Sequence, residues 1–242
     1  MTEILCNTLG KQEIDKNNDG NGSLWSTKET KQKIEKLLVI DPDFEDLYRI
    51  LTVYGLKKVA RNCSNFYHDD KENIDYERKE TTPEHVFSCL KLADFFLFSE
   101  EEFADLDRLR VYELLHYHDD IEIKTKDTCI SKEAERIDKN ERELMAIPIL
   151  AAKYPRKLQA RFIALDKEHR EAKTKEGKFS QAVDKMDALI HELEYPQDWA
   201  AKWFNEINVR KWFQPSFEYS PTFMKYFELI IQFLRNNGHF DE

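Results

Sequence analysis

Apolar residues recur every three or four positions along most of the chain from Lys31 onward. The segment KFSQAVDKMDALIHEL is the most regular, and on a helix its apolar side chains would form one stripe: Phe179, Ala182, Val183, Met186, Leu189, Ile190 and Leu193. The segment FADLDRLRVYELLHYHDDIE has the same spacing and includes Leu109. Because no alternating apolar pattern of useful length accompanies these stripes, the sequence predicts an all-α protein.

Two of the predicted helices carry clear start signals. Thr82 precedes Pro83 in TPEHVFSCLKLADFFLF and is predicted to be the N-cap of that helix. Ser220 precedes Pro221 in the same way, and Gly238 is predicted to end the C-terminal helix.

These patterns divide the chain into three parts. Residues 1–30 are predicted to form a polar, mobile arm, residues 31–200 a helical domain, and residues 201–242 a helical extension packed on that domain. The aromatic residues between Trp203 and Phe233 fit either the domain core or a homodimer face.

Composition restricts the partners. The net charge of -10 argues against a nucleic-acid backbone as the main partner, because phosphate chains are bound by clustered Lys and Arg. No apolar run reaches the length of a membrane span, and the N-terminus lacks the order of a secretory signal. The four cysteines lie far apart without a C-x-x-C pair, so reduced thiols are expected. We therefore expect a cytoplasmic protein with a small-molecule ligand and no membrane partner.

The four letters YHDD occur twice, at residues 67–70 and at residues 117–120. The first copy lies in a charged stretch without a helical stripe and is predicted to be a solvated loop. The second copy ends a strongly periodic segment, and Glu122 follows it closely, so His118, Asp119 and Glu122 would project from the same region. The second copy is therefore the candidate for chemistry.

Three predicted helices could bring further ligands to this copy. The resulting site would consist of two imidazoles and two carboxylates, from His85, His118, Asp119 and Asp184. Such a mixed set suits one divalent ion among Mn, Fe, Co, Ni, Zn and Mg. The alternative is a metal-free polar cluster paired with Lys185 or Arg110.

Two polar residues near Asp184 are not assigned to the ligand set. Asp187 and His191 repeat the polar edge of the helix that carries Asp184 and are expected to be solvated. Asp187 is the alternative ligand if Asp184 is not one.

The arrangement H…HD…D, formed by His85, His118-Asp119 and Asp184, resembles the signature of the HD-domain metal-dependent phosphohydrolases. The stretches TPEHVF, LLHYHDDIEIKTKDT, KNERELMA and EHREAKTKEGKFSQAVDKMDALIHELEY are similar to the single-domain 5'-deoxynucleotidase branch, over residues 45–197. The resemblance implies an HD-domain helical bundle. The chain departs from the branch at Lys126, where Gly is usual, and at Gly177, where Ala is usual.

The resemblance also implies roles for individual residues. Glu122 would orient the attacking water or manage its proton, and Arg61 would neutralise phosphate oxygens. Asp127 would accept a hydrogen bond from the sugar, beside Thr128 in the substrate site; the alternative for Asp127 is a cap just before Thr128.

The function expected from this set is removal of phosphate from nucleoside 5'-monophosphates, deoxyribonucleotides in particular, by water activated at a divalent ion. Two alternatives stay open. One is hydrolysis of another nucleotide phosphoester, which would need more cations than Arg61, Lys124 and Lys126. The other is a non-catalytic helical module that binds a metal or nucleotide.

Overall fold

The computed structural model describes residues 39, 42–69, 74–129, 132–191, 193, 195 and 204–240. The chain divides into two compact units between Tyr48 and Arg49. In the first unit, helix α1 spans Pro42–Tyr48. The predicted arm at residues 1–30 lies outside the described residues, and the domain boundaries at 30/31 and 200/201 stay predictions.

The second unit is largely helical. Its helices are α2 Ile50–Val53, α3 Thr82–Ser99, α4 Arg108–Tyr117, α5 Glu122–Thr125, α6 Glu133–Arg136, α7 Lys139–Ala151, α8 Arg156–Glu171, α9 Lys175–His191, α10 Glu206–Phe213 and α11 Pro221–Asn236. Short 3-10 helices span Tyr54–Lys58, Glu101–Phe103 and Gln214–Ser216. The prediction of a helical bundle is confirmed.

One antiparallel hairpin interrupts the helices. Strand β1, Ala60–Asp69, pairs with β2, Ile74–Thr81, from Ala60 opposite Thr81 to Asp69 opposite Ile74. The predicted loop around the first YHDD copy is therefore wrong, since Tyr67, His68 and Asp69 lie in β1. Pairing between the two strands satisfies their backbone hydrogen bonds. A stretch of mostly polar residues gives little local indication of such pairing.

Helix α3 starts one residue earlier than predicted. Its N-cap is Thr81, which forms a capping box with Glu84: the Thr81 amide donates to Glu84 Oε2 over 2.8 Å. Thr82, the predicted cap, is instead buried, and its hydroxyl donates to Glu122 Oε2 over 2.9 Å. Ser220 caps α11 as predicted, accepting from the Phe223 amide over 3.2 Å.

The main core joins α3, α4, α9 and α11. Phe179, Val183 and Met186 on α9 are fully buried, as the stripe predicts, whereas Ile190 is 40% exposed; Leu109 on α4 is 67% exposed. The C-terminal aromatic residues that belong to this core are Phe213, Phe217, Phe223 and Phe227. Burial of these large side chains fixes the three helices that carry the predicted metal ligands.

Gly177 packs too closely for the alanine that is usual at this position. A Cβ there would lie 2.9 Å from Thr174 Oγ1 and 3.0 Å from the Glu168 carbonyl oxygen. Thr174 Oγ1 also accepts from the Gly177 amide over 3.0 Å, which stabilises the start of α9.

None of the described helices is long and apolar enough to cross a membrane.

Candidate metal centre

Four side chains from separate parts of the fold meet at one point. His85 lies in the first turn of α3, and Asp184 lies on α9. His118 and Asp119 follow α4 directly, in the turn before α5. The core contacts between α3, α4 and α9 therefore bring together the four residues that the sequence suggests as ligands.

The distances between the donor atoms suit a single small ion. His85 Nε2 lies 3.4 Å from His118 Nε2, 3.6 Å from Asp119 Oδ2 and 3.1 Å from Asp184 Oδ1. His118 Nε2 lies 3.2 Å from Asp119 Oδ2 and 3.8 Å from Asp184 Oδ1. Ligands bound about 2.1 Å from a divalent ion are roughly 3.0 to 3.4 Å apart in octahedral or tetrahedral geometry. The group therefore fits a divalent ion without large rearrangement.

Both imidazoles are oriented through their other nitrogen. His85 Nδ1 lies 2.8 Å from Asp187 Oδ2, and His118 Nδ1 lies 2.7 Å from the Leu115 carbonyl oxygen. Since these partners accept hydrogen bonds, each ring carries its proton on Nδ1 and presents the Nε2 lone pair to the centre. The expectation that Asp187 is solvated is wrong, because Asp187 is buried against His85.

The imidazoles and carboxylates of the centre shift each other's pKa values. Burial disfavours charge on both partners, yet Asp119 raises the pKa of His118, and His118 lowers the pKa of Asp119. For Asp184, burial likewise opposes ionisation, while Lys185 and His85 lower its pKa. The carboxylates are thus held ionised, which is the state that binds a cation.

The metal-free pairing considered from the sequence is present in part. Lys185 Nζ contacts Asp184 Oδ2 at 2.9 Å, while Asp184 Oδ1 faces His85. Arg110 pairs with Glu168 and Glu113 instead. One carboxylate oxygen therefore stays directed at the imidazoles.

Cys89 was not anticipated near this centre. Its Sγ lies 3.5 Å from His85 Nε2, and it forms a group with His85, His118 and Asp184 whose donor atoms all lie within 4.8 Å of one another. Burial raises the pKa of the Cys89 thiol to about 12, so the thiol is neutral.

Glu122 lies beside the four donors, at the start of α5. Its side chain is buried and accepts the hydrogen bond from Thr82. Burial, reinforced by Asp119 and Asp127, raises the pKa of Glu122 to about 8, against the opposing effect of Arg61. Glu122 can therefore carry a proton at neutral pH.

Arg61 reaches the centre from β1. Its Nη1 lies 3.5 Å from Asp119 Oδ2, and its Nε lies 3.2 Å from Glu80 Oε2. Burial opposes its charge, but Asp119 and Asp127 raise the pKa of Arg61. The guanidinium is therefore close to both Asp119 and the buried Glu80.

Asp127 and Thr128 follow the strained residue Lys126. Lys126 has φ 63° and ψ 162°, a conformation that is essentially restricted to glycine. Thr128 is buried, and its carbonyl oxygen accepts from Arg136 Nη1 over 3.0 Å. The unusual backbone lies where the resembling branch has Gly.

A cavity of about 390 Å³ opens beside the four donors. Helices α6 to α9 line it with four cations, Arg136, Lys139, Arg170 and Lys185, of which only Lys185 was considered from the sequence. Arg61, Asp127 and Thr128 are not among its lining residues within the described part of the chain. Residues from four helices share this wall, and local periodicity does not reveal such convergence.

His169 on α8 also lines the cavity. It is 7% exposed, and its ring centroid lies 5.1 Å from that of His118. Burial, together with the neighbouring His118, lowers the pKa of His169 to about 3. The imidazole is therefore neutral.

Known structures share this fold. A crystal structure described as a predicted metal-dependent phosphohydrolase from Magnetospirillum magnetotacticum MS-1 matches with TM-score 0.66 and 24% identity, over 81% of this chain and 94% of that one. A conserved hypothetical protein from Pyrococcus furiosus matches with TM-score 0.51 and 18% identity, over 78% of this chain and 99% of that one. No curated protein sequence matches this chain.

The profile of the HD domain family matches residues 56–214, which is more than half of the chain. This stretch includes both the hairpin and the helices that carry the four donors. The chain belongs to the HD domain family.

Proposed function

We propose that this protein removes phosphate from nucleoside 5'-monophosphates, deoxyribonucleotides in particular, with a divalent ion held by His85, His118, Asp119 and Asp184. The observation that carries the proposal is the spacing of 3.1 to 3.8 Å among these donors, with Glu122 buried beside them. The Magnetospirillum protein of similar fold is described as a predicted metal-dependent phosphohydrolase, which supports the reaction class.

The charges of the site favour a phosphate monoester. When bound, a divalent ion would polarise a phosphoryl oxygen and lower the pKa of water. Arg61 adds a planar donor fork, which suits the remaining phosphate oxygens. Its contacts with Glu80 and Asp119 hold that fork at the edge of the centre.

Glu122 supplies the proton transfer. Water adds to phosphorus, the P–O ester bond breaks, and the departing sugar oxygen takes a proton from the Glu122 carboxyl. The raised pKa of Glu122, about 8, keeps that proton available at neutral pH. The proton released by water then restores the carboxyl, so the cycle balances.

The nucleoside part of the proposal rests on the resemblance to 5'-deoxynucleotidases over residues 45–197. In that branch, the position of Asp127 accepts from the sugar hydroxyl. Lys126 replaces the Gly that is usual just before this position.

A second candidate substrate is a nucleotide that carries more than one phosphate group. Three of the four cavity cations pair with carboxylates: Lys139 with Glu143, Arg170 with Asp166 and Lys185 with Asp184. Arg136 instead contacts a carbonyl oxygen and lies 5.2 Å from the centroid of the Trp212 ring. The positive charge of Arg136 favours a substrate with additional phosphate, because it could bind that phosphate.

The test is a screen of metals against substrates on chelator-treated protein. Ribonucleoside and deoxyribonucleoside mono-, di- and triphosphates are offered with each of Mn, Fe, Co, Ni, Zn and Mg, and phosphate release is measured. Metal-dependent release from monophosphates alone supports the proposal, and faster release from triphosphates supports the second candidate. No release from any pair favours a non-catalytic binding module.

A further inference from the structure

We propose that His169 contacts the substrate directly and accepts a hydrogen bond from a hydroxyl group of the sugar that leaves with the ester oxygen. The inference rests on the proposed function and adds a residue that determines substrate specificity. His169 does not belong to the group of four donors.

A chain of hydrogen bonds fixes the protonation of the His169 ring. The Ser180 hydroxyl is fully buried and donates to the Gly177 carbonyl oxygen over 3.0 Å. Its single proton is thereby used, so Ser180 Oγ accepts from His169 Nδ1, which lies 3.0 Å away. The ring therefore carries its proton on Nδ1, and Nε2 bears a lone pair.

The lone pair on His169 Nε2 can bind a ligand in the cavity. Within the described part of the chain, Ser180 is the hydrogen-bond partner of the His169 ring, and it uses Nδ1. The residue is more than nine-tenths buried and lines the cavity beside His118 and Asp119. Among the described residues, His169 Nε2 is not one of the atoms that are both fully buried and without a hydrogen-bond partner, so its lone pair is accessible from the cavity and can accept from a donor on a ligand.

The position of the ring is well defined. Gln181 Nε2 donates to the backbone carbonyl oxygens of His169, over 2.8 Å, and Arg170, over 3.3 Å. These bonds join the end of α8 to α9, the helix that carries Asp184. The lone pair on His169 Nε2 is thus held at a fixed place relative to the metal centre.

The chemistry of the acceptor selects which part of a substrate it meets. The oxygens of a phosphate dianion only accept hydrogen bonds, so they gain nothing from an imidazole lone pair. A sugar hydroxyl can donate to it. His169 therefore faces the alcohol part of the ester, whereas the cations serve the phosphate part.

The experiment compares two substrates that differ by one hydroxyl: a 2'-deoxynucleoside 5'-monophosphate and the 2',3'-dideoxynucleoside 5'-monophosphate of the same base. His169→Phe keeps a ring but removes the acceptor, and His169→Gln keeps a carbonyl acceptor of similar reach. Asp127→Asn is the matched comparison, because the single proton of the 3'-hydroxyl can be donated to only one acceptor and the resemblance assigns that contact to Asp127, which does not line the cavity.

We expect the unaltered protein to prefer the hydroxylated substrate by roughly 10-fold in kcat/KM. His169→Phe should abolish this preference by slowing only the hydroxylated substrate, and His169→Gln should restore part of it. An equal loss on both substrates in both His169 variants would overturn the inference. So would a preference that survives His169→Phe and disappears in Asp127→Asn.

Calorimetry on the metal-loaded protein separates this inference from the proposed function. The paired probes are the 2'-deoxynucleoside and the 2',3'-dideoxynucleoside, each with inorganic phosphate present. Tighter binding of the hydroxylated probe, lost in His169→Phe, supports the contact even if no monophosphate is hydrolysed. Equal binding of the two probes to the unaltered protein overturns it, whatever the hydrolysis assay gives.

Discussion

Asp187 Oδ2 lies 2.8 Å from His85 Nδ1, so the aspartate one turn beyond Asp184 on α9 orients a histidine on α3. One helix therefore supplies both a candidate ligand, Asp184, and the group that holds another candidate ligand in place. Oriented imidazoles of this kind bind metal more tightly because the ring does not have to be ordered on binding.

Replacing Asp187 should weaken metal binding without removing a ligand. We expect Asp187→Asn to lower metal affinity about 10- to 100-fold, because the amide no longer fixes the His85 proton on Nδ1. Competition with a chromophoric chelator measures the affinity. Asp105→Asn, at an exposed ion pair with Lys175, is the control and should bind metal normally. An unchanged affinity in Asp187→Asn would show that this contact does not support the site.

Glu122 should separate catalysis from metal binding. Glu122→Gln still accepts from Thr82 but cannot transfer a proton, so turnover should fall by roughly 10²- to 10⁴-fold. Elemental analysis should find the same metal content as in the unaltered protein. Normal turnover would contradict the proton-transfer role, and loss of the metal would make Glu122 a ligand.

Glu80 is expected to support substrate binding by holding the Arg61 guanidinium in position. Its carboxylate is 2% exposed, lies 3.2 Å from Arg61 Nε and accepts from Cys63 Sγ over 3.1 Å. Because Glu80→Gln removes the charge that holds the guanidinium, KM should rise about 10-fold with little change in kcat. Steady-state kinetics and inhibition by inorganic phosphate test this prediction. Equal effects in Glu100→Gln, a control at the Tyr226 contact, would indicate a general loss of stability instead.

Lys126 should be replaceable by glycine with a gain in stability. At φ 63° and ψ 162° its backbone stores about 1 to 3 kcal/mol of strain, which glycine relieves at some cost in chain entropy. We expect the free energy of unfolding of Lys126→Gly to rise by about 1 kcal/mol in urea titrations. Lys124→Gly, within helix α5, should lower it. A lower value for Lys126→Gly would mean that other contacts favour lysine.

The sequence predicts the helices better than it predicts the walls of the site. The stripe on α9 and the end of α4 depend on local periodicity, so the meeting of His85, His118 and Asp184 was accessible from their helices and the resemblance. The hairpin was missed because its stability comes from pairing between strands.

The features around the donors depend on tertiary packing. His169 faces the cavity because α8 packs beside α9, and Arg136 reaches it from α6. Neither residue has a motif of its own, so no sequence spacing could indicate that they share a wall. The burial of Asp187 likewise depends on α3, since its own helix gives it the spacing of a solvated edge.

The central claim is that the four donors hold the divalent ion on which phosphate release depends. The most direct measurement is phosphate release from a deoxynucleoside 5'-monophosphate by chelator-treated protein as one divalent ion is titrated back. Release should rise until one equivalent is bound in the unaltered protein and in His68→Ala, which alters the YHDD copy in β1. It should be absent in His118→Ala at every equivalent. Release that resists chelation, or that is lost equally in both histidine variants, would contradict the account.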